Sequence, residues 1–163
     1  MPTLVTLGWI FIAPFIAANL TPVQIVIWLT LIPYLFLPEA FAINLSGLPD
    51  IDKTAAISIG LVLSFLLHRR KFRAVPFPDQ RDRLVKISVL VCFALMVGGA
   101  FLTLLTNREP VFWGPVVLPG MRLWDVVSIM SGIVFYTVPF FFALRYLATP
   151  EAHRELLKAF VVM

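Results

Sequence analysis

The sequence holds a single cysteine, Cys92, and only two histidines, His68 and His153, in 163 residues. One thiol cannot form an intramolecular disulfide, and a zinc site built on several cysteines is excluded. Cys92 lies within an apolar run and reads as a small apolar filler. A haem, chlorophyll or metal ligand would be expected inside such a run. Both histidines stand instead at run ends beside basic residues, and they read as solvated. Charge is scarce as well: 13% of residues are Asp, Glu, Lys or Arg, against about 25% in soluble domains. There is no Ser–His–Asp set, no glycine-rich phosphate loop, no mid-run acid or base, and no internal repeat. No catalytic residue and no metal site is therefore assigned, and nothing identifies a cofactor.

What the chain has in abundance is apolar surface, with 60% hydrophobic residues. A soluble globule of this size exposes too much of itself to hide that fraction. The reading is an all-α, polytopic transmembrane helical bundle. A spanning helix takes about 20 mostly apolar residues, and five segments qualify or come close: 3–18, 22–37, 54–67, 85–106 and 123–147. A further helix starts at 150 and continues towards 163. Thr21 and Pro22 are set to open the second segment, and Thr149, Pro150 and Glu151 to open the last, as N-cap, first-turn proline and first-turn acid. Asp52 is the expected cap of the third. Pro14 and Pro33 would bend the first two, which neighbouring helices in a membrane tolerate. The run from Leu4 to Leu20 has no preceding Lys or Arg, so it reads as a retained helix rather than a signal peptide.

The bases sort to run ends. Arg69, Arg70, Lys71, Arg73, Arg81, Arg83 and Lys86 fill the connection between the third and fourth segments, and Arg145, Arg154 and Lys158 the end of the fifth and the tail. Opposite them stand Lys53, Arg108 and Arg122. Cytoplasmic loops collect Lys and Arg, which predicts an N-terminus outside and a C-terminus inside the membrane. The same sorting accounts for the net charge of +4 without a nucleic-acid partner. The inner connection contains Pro76 and Pro78 and is expected to lack a long regular element. Two outer loops, 41–53 and 107–122, are turn-rich and suited to the interface, with Trp113 and Trp124 fitting the aromatic belt.

Four residues are candidate helix-packing positions. Ala94 and Gly98 in the fourth span, and Ser128 and Gly132 in the fifth, have the small-xxx-small spacing that lets a partner backbone approach. Arg108 and Arg122 admit two readings. They can clamp the phosphates of a lipid diphosphate, because guanidinium forks match phosphate oxygens; or they can anchor the interface, with Arg122 bonded to Asp125. Asp50 and Asp52 form an Asp-x-Asp pair of the kind that grips a divalent ion, but a helix-cap role for Asp52 explains it more simply. The aromatics Phe135, Tyr136 and Phe140 to Phe142 are expected to serve packing and lipid contact.

Ile43 to Thr54, Leu118 to Asp125, and Arg145 to Arg154 each resemble stretches of the N-terminal half of bacterial O-antigen ligase/polymerase-like membrane proteins. The resemblance implies a polytopic fold in a bacterial inner membrane and a relation to transfer of glycans from lipid diphosphates. In that family a large periplasmic loop carries the catalytic Arg and His residues, and nothing here corresponds to it. The chain is therefore expected to be a membrane module that is not catalytic by itself. The alternative is a structural subunit of a larger membrane complex, such as a photosynthetic or respiratory assembly. In either case the expected partners are membrane lipids and other transmembrane helices or subunits.

Overall fold

The computed structural model describes residues 2–38, 42–43, 50–73 and 83–162. The connection containing Pro76 and Pro78 and most of the loop 41–53 lie outside them. The chain is mostly helical. Its elements are α1 (Pro2–Ala17), α2 (Pro22–Phe36), α3 (Lys53–Leu67), α4 (Arg69–Arg73), α5 (Arg83–Thr106), β1 (Val111–Trp113), β2 (Val116–Leu118), α6 (Leu123–Tyr146) and α7 (Pro150–Val162). Each expected segment is a helix, with bounds shifted by two residues at most.

Local chemistry sets these ends. Thr21 accepts from the Gln24 backbone N–H while the Gln24 side chain accepts from the Thr21 N–H. This is a complete capping box, followed by Pro22 at the first helical position. The Asp52 carboxylate accepts from the Ala55 N–H at 2.7 Å, and Thr149 Oγ1 from the Ala152 N–H at 3.2 Å. Each such cap contributes about 1 kcal/mol.

Two compact units are present. The first comprises α1 to α4, α6 from Phe135 onward, and α7. In it α1 packs chiefly on α3 rather than on its sequence neighbour α2. The close approach is made by small residues: a Cβ added at Gly60 would lie 3.2 Å from the Ala13 Cβ and 3.4 Å from Trp9 Nε1. Ala13, Ala17, Ala55 and Ala56 are fully buried. Larger side chains fill the remainder, with Ile25, Val26, Leu29, Ile57, Leu61, Phe72 and Tyr146 in one cluster. Phe72 enters this core from α4, edge-to-face with Phe65 at 5.1 Å and with Tyr146 at 5.1 Å. Phe142 joins them at 5.6 Å from Phe65, so only part of the α6 aromatic run packs; Phe140 and Phe141 are exposed.

Polar contacts pin both ends of this unit. At one end, the Lys53 ammonium donates to the Tyr34 carbonyl at 3.2 Å and lies 4.6 Å from the centre of its ring. At the other, Lys71 donates to the carbonyls of Ala17, Ala18 and Leu20. A cation there satisfies the exposed carbonyls ending α1 and offsets the negative end of its dipole. Ser58 donates to the Phe135 carbonyl, tying α3 to α6. The tail helix α7 packs on α2 through buried Ala152 and Ala159, while Leu157, Phe160, Val161 and Val162 remain exposed.

The second unit spans Asp79–Val134 and so contains α5, the hairpin and the first half of α6. Within the described residues, two helices are long and apolar enough to cross a membrane: Ile87–Thr106 and Leu123–Tyr146. At 1.5 Å per residue the 24-residue α5 and α6 measure about 36 Å, beyond the ~30 Å hydrocarbon core. The 16- and 15-residue α1, α2 and α3 reach only about 22–24 Å.

Candidate functional site

The loop 107–122 is more ordered than its turn-rich sequence suggests. After α5 the chain turns into β1, which pairs antiparallel with β2 in the register Val111↔Leu118, Phe112↔Val117 and Trp113↔Val116. Only Gly114 and Pro115 connect the strands. Gly114 has φ +58°, and proline fixes a negative φ at the next position, which together select a type II′ turn. The hairpin then returns to its origin. The Met121 N–H donates to the Asn107 carbonyl at 2.8 Å. Gly120 lies so close to the Arg108–Glu109 backbone that a Cβ there would be 2.5 Å from the Arg108 carbonyl carbon.

This clasp brings together the two arginines that the sequence singled out. Arg108 follows Asn107 and Arg122 follows Met121, so each adjoins the hydrogen bond that closes the loop; both side chains are exposed. The bond expected between Arg122 and Asp125 exists, but it uses the backbone. The Arg122 N–H donates to Asp125 Oδ2 at 2.6 Å, the reciprocal half of a capping box at the start of α6. Thus the Arg122 guanidinium is not what holds Asp125. Around the clasp the apolar side chains point outward: Val111, Phe112, Val116 and Val117 are exposed, and Trp124 is half-exposed.

The small-residue positions of α5 and α6 meet no neighbour within the chain's described residues. Ala94 and Ser128 are exposed and Gly98 and Gly132 half-buried, and a Cβ at either glycine would meet no atom within 4 Å. An intimate helix contact within the first unit lies at Gly60. The spacing is present in the sequence, since Ala56, Gly60 and Ser64 are four apart, and Gly60 meets Ala13 of α1. Cys92 is not a core filler; it is exposed on α5. Residue spacing around a helix does not say which face a neighbour covers.

Asp52 spends its carboxylate on the α3 cap, and no group of three His, Cys, Asp or Glu residues suited to a metal ion occurs among the described residues. His153 is exposed, whereas His68 is half-buried, with Nδ1 3.1 Å from the Ser64 carbonyl oxygen. His68 also closes a cavity that the sequence did not disclose. This groove of about 390 Å³ is lined by Phe11, Pro14, Phe15 and Ala18 of α1 and its exit, by Leu63 and Leu67 of α3, and by His68. Comparison with protein-family models, with curated proteins and with solved structures finds no match.

Proposed function

We propose that the chain is a five-span module of a bacterial inner membrane, with its N-terminus outside and C-terminus inside, that supplies helix surface to partner subunits. The observation that carries this reading is the state of α5 and α6. Their membrane-length apolar stretches are almost wholly exposed, with Gly98 and Gly132 open to approach. In a bilayer, helices associate by close packing at small residues rather than by escape from water, and these faces are suited to it. The first unit supports the orientation: Lys71 and Phe72 meet the end of α1 and the end of α6, so bases 69–73 and Arg145 collect at one end of that unit. The short α1, α2 and α3 would cross with little tilt or with local thinning.

The test is to replace Ala94 and Gly98 with leucine, and separately Ser128 and Gly132. After mild detergent extraction from the native membrane, the wild-type chain should migrate with other subunits on a native gel, and at least one pair of substitutions should release it. A wild-type chain migrating alone would defeat the scaffold reading. For orientation, single cysteines introduced at 69–73 in a Cys92→Ser background should be shielded from an impermeant maleimide added outside, and labelling of intact cells would reverse the topology.

The clasp favours a second reading, a module related to O-antigen ligase-like proteins that contacts a lipid diphosphate. It holds Arg108 and Arg122 on adjacent backbone segments at the outer ends of α5 and α6, where two guanidiniums suit a diphosphate. Arg108→Gln with Arg122→Gln should weaken binding of a lipid diphosphate at least tenfold; unchanged binding would leave the arginines as interface anchors.

A further inference from the structure

We propose that the groove between α1 and α3 is a binding site for one anionic phospholipid, with an acyl chain along the groove and the phosphate on the Arg69–Arg70 turn. The site is separate from the Arg108–Arg122 clasp, and it rests on the membrane reading above. Six of the seven lining residues are apolar, and the seventh, His68, stands at one end. Its volume of about 390 Å³ falls in the ~300–1,000 Å³ range of small-molecule sites. From Phe11 to Ala18 it follows α1 for roughly 10 Å, a length that suits a chain segment rather than a compact solute.

The charge complement at its mouth identifies the occupant. The residue after His68 begins α4, Arg-Arg-Lys-Phe-Arg, four bases in five positions. Basic clusters directly beside a spanning helix select anionic headgroups. The structure separates Lys71 from Arg69 and Arg70 by task. Lys71 commits its ammonium to the carbonyls of Ala17, Ala18 and Leu20. That contact neutralises the negative helix end which would otherwise repel a phosphate at the groove. Buried Phe72 locks α4 against the core, so the turn carrying Arg69 and Arg70 is held at the groove end. Both of these arginines are exposed, and neither makes an ion pair among the described residues. They keep their guanidinium forks for phosphate oxygens.

Native mass spectrometry of the full chain in detergent supplies the test, with phosphatidylglycerol and phosphatidylcholine of matched long chains as the probes. One phosphatidylglycerol should be retained with at least tenfold preference. Arg69→Gln with Arg70→Gln should abolish that preference. Arg154→Gln with Lys158→Gln, removing the same charge from α7, should leave it intact. Dihexanoyl phosphatidylglycerol, which has the headgroup but little chain, should bind at least tenfold more weakly. Ala18→Phe, which fills the groove, should lower retention of the long-chain lipid. Equal retention of the two headgroups, equal loss in both double variants, or full binding of the short-chain lipid would each overturn the site. The readout in detergent does not depend on topology or partners, so its failure is distinct from failure of the scaffold reading.

Discussion

Gly120→Ala should open the clasp between α5 and α6. Among the described glycines it is the position with the least room. An added Cβ would lie 2.5 Å from the Arg108 carbonyl carbon and nearer still to its oxygen, whereas real Cβ contacts essentially never fall below 3.0 Å. The obstacle is backbone on the neighbouring strand of chain, so no side-chain rotation relieves it. The two segments must part by roughly 1 Å, at an overpacking cost of about 1–3 kcal/mol. The same displacement stretches the Met121–Asn107 hydrogen bond, worth about 1 kcal/mol. The clasp should therefore lose roughly 2–4 kcal/mol, equivalent to a 30-fold or greater rise in its open population. Trypsin reads this directly, because Arg108 and Arg122 flank the closing bond and cleavage follows the open population when reclosing is fast. Gly120→Ala should be cut at these two sites at least tenfold faster than the wild type. Gly132→Ala is the control. It lies in α6 with open space around it, where alanine gains about 0.5–1 kcal/mol of helix propensity, and cleavage should not accelerate. Wild-type cleavage rates in Gly120→Ala would refute the close approach on which the reasoning depends.

Asp52→Ala removes the acceptor of the Ala55 N–H and should lower stability by about 0.5–2 kcal/mol, read as a shift in the detergent unfolding midpoint; no shift would mean that water replaces the cap at no cost. Phe72→Ala empties a fully buried site contacting Phe65, Phe142 and Tyr146. A loss of about 3–5 kcal/mol is expected, and a change under ~1 kcal/mol would show that α4 does not anchor the core. Cys92, exposed on α5, should react in native membranes with a lipid-soluble maleimide but resist an anionic, water-soluble one until SDS is added. Prompt reaction with the anionic reagent would show that Ile87–Thr106 does not lie in lipid.

The residues that cap helices were legible because capping is a local event. Thr21, Asp52 and Thr149 each act on a backbone N–H three positions away, and side-chain type plus spacing suffices to find them. Arg122 and Asp125 show where such reasoning stops. Their proximity was readable from one helical turn, but whether the carboxylate took the guanidinium or the backbone N–H depended on the chain direction entering α6. In the sequence, the hairpin at Val111–Leu118 shows only as a turn-rich stretch. Its three-residue strands give a weak periodic signal, and the strongest cue, Gly114-Pro115, fixes a turn without saying that the strands around it pair. Packing was harder still. The small-xxx-small pattern occurs in α3, α5 and α6, and only the fold shows that the one in α3 meets α1 while the others stand open.

Sequence alone determined where the helices are and at which ends the charges gather, because apolar run length and the exclusion of Lys and Arg from hydrocarbon are properties of contiguous segments. The tertiary structure decided which helix faces meet. It placed Lys71 on the carbonyls that end α1, seated Gly120 against the Arg108 backbone, and left a groove beside the arginines of α4. Each of these joins residues distant in the chain, and such contacts are fixed by the mutual fit of surfaces, which no single stretch of sequence contains.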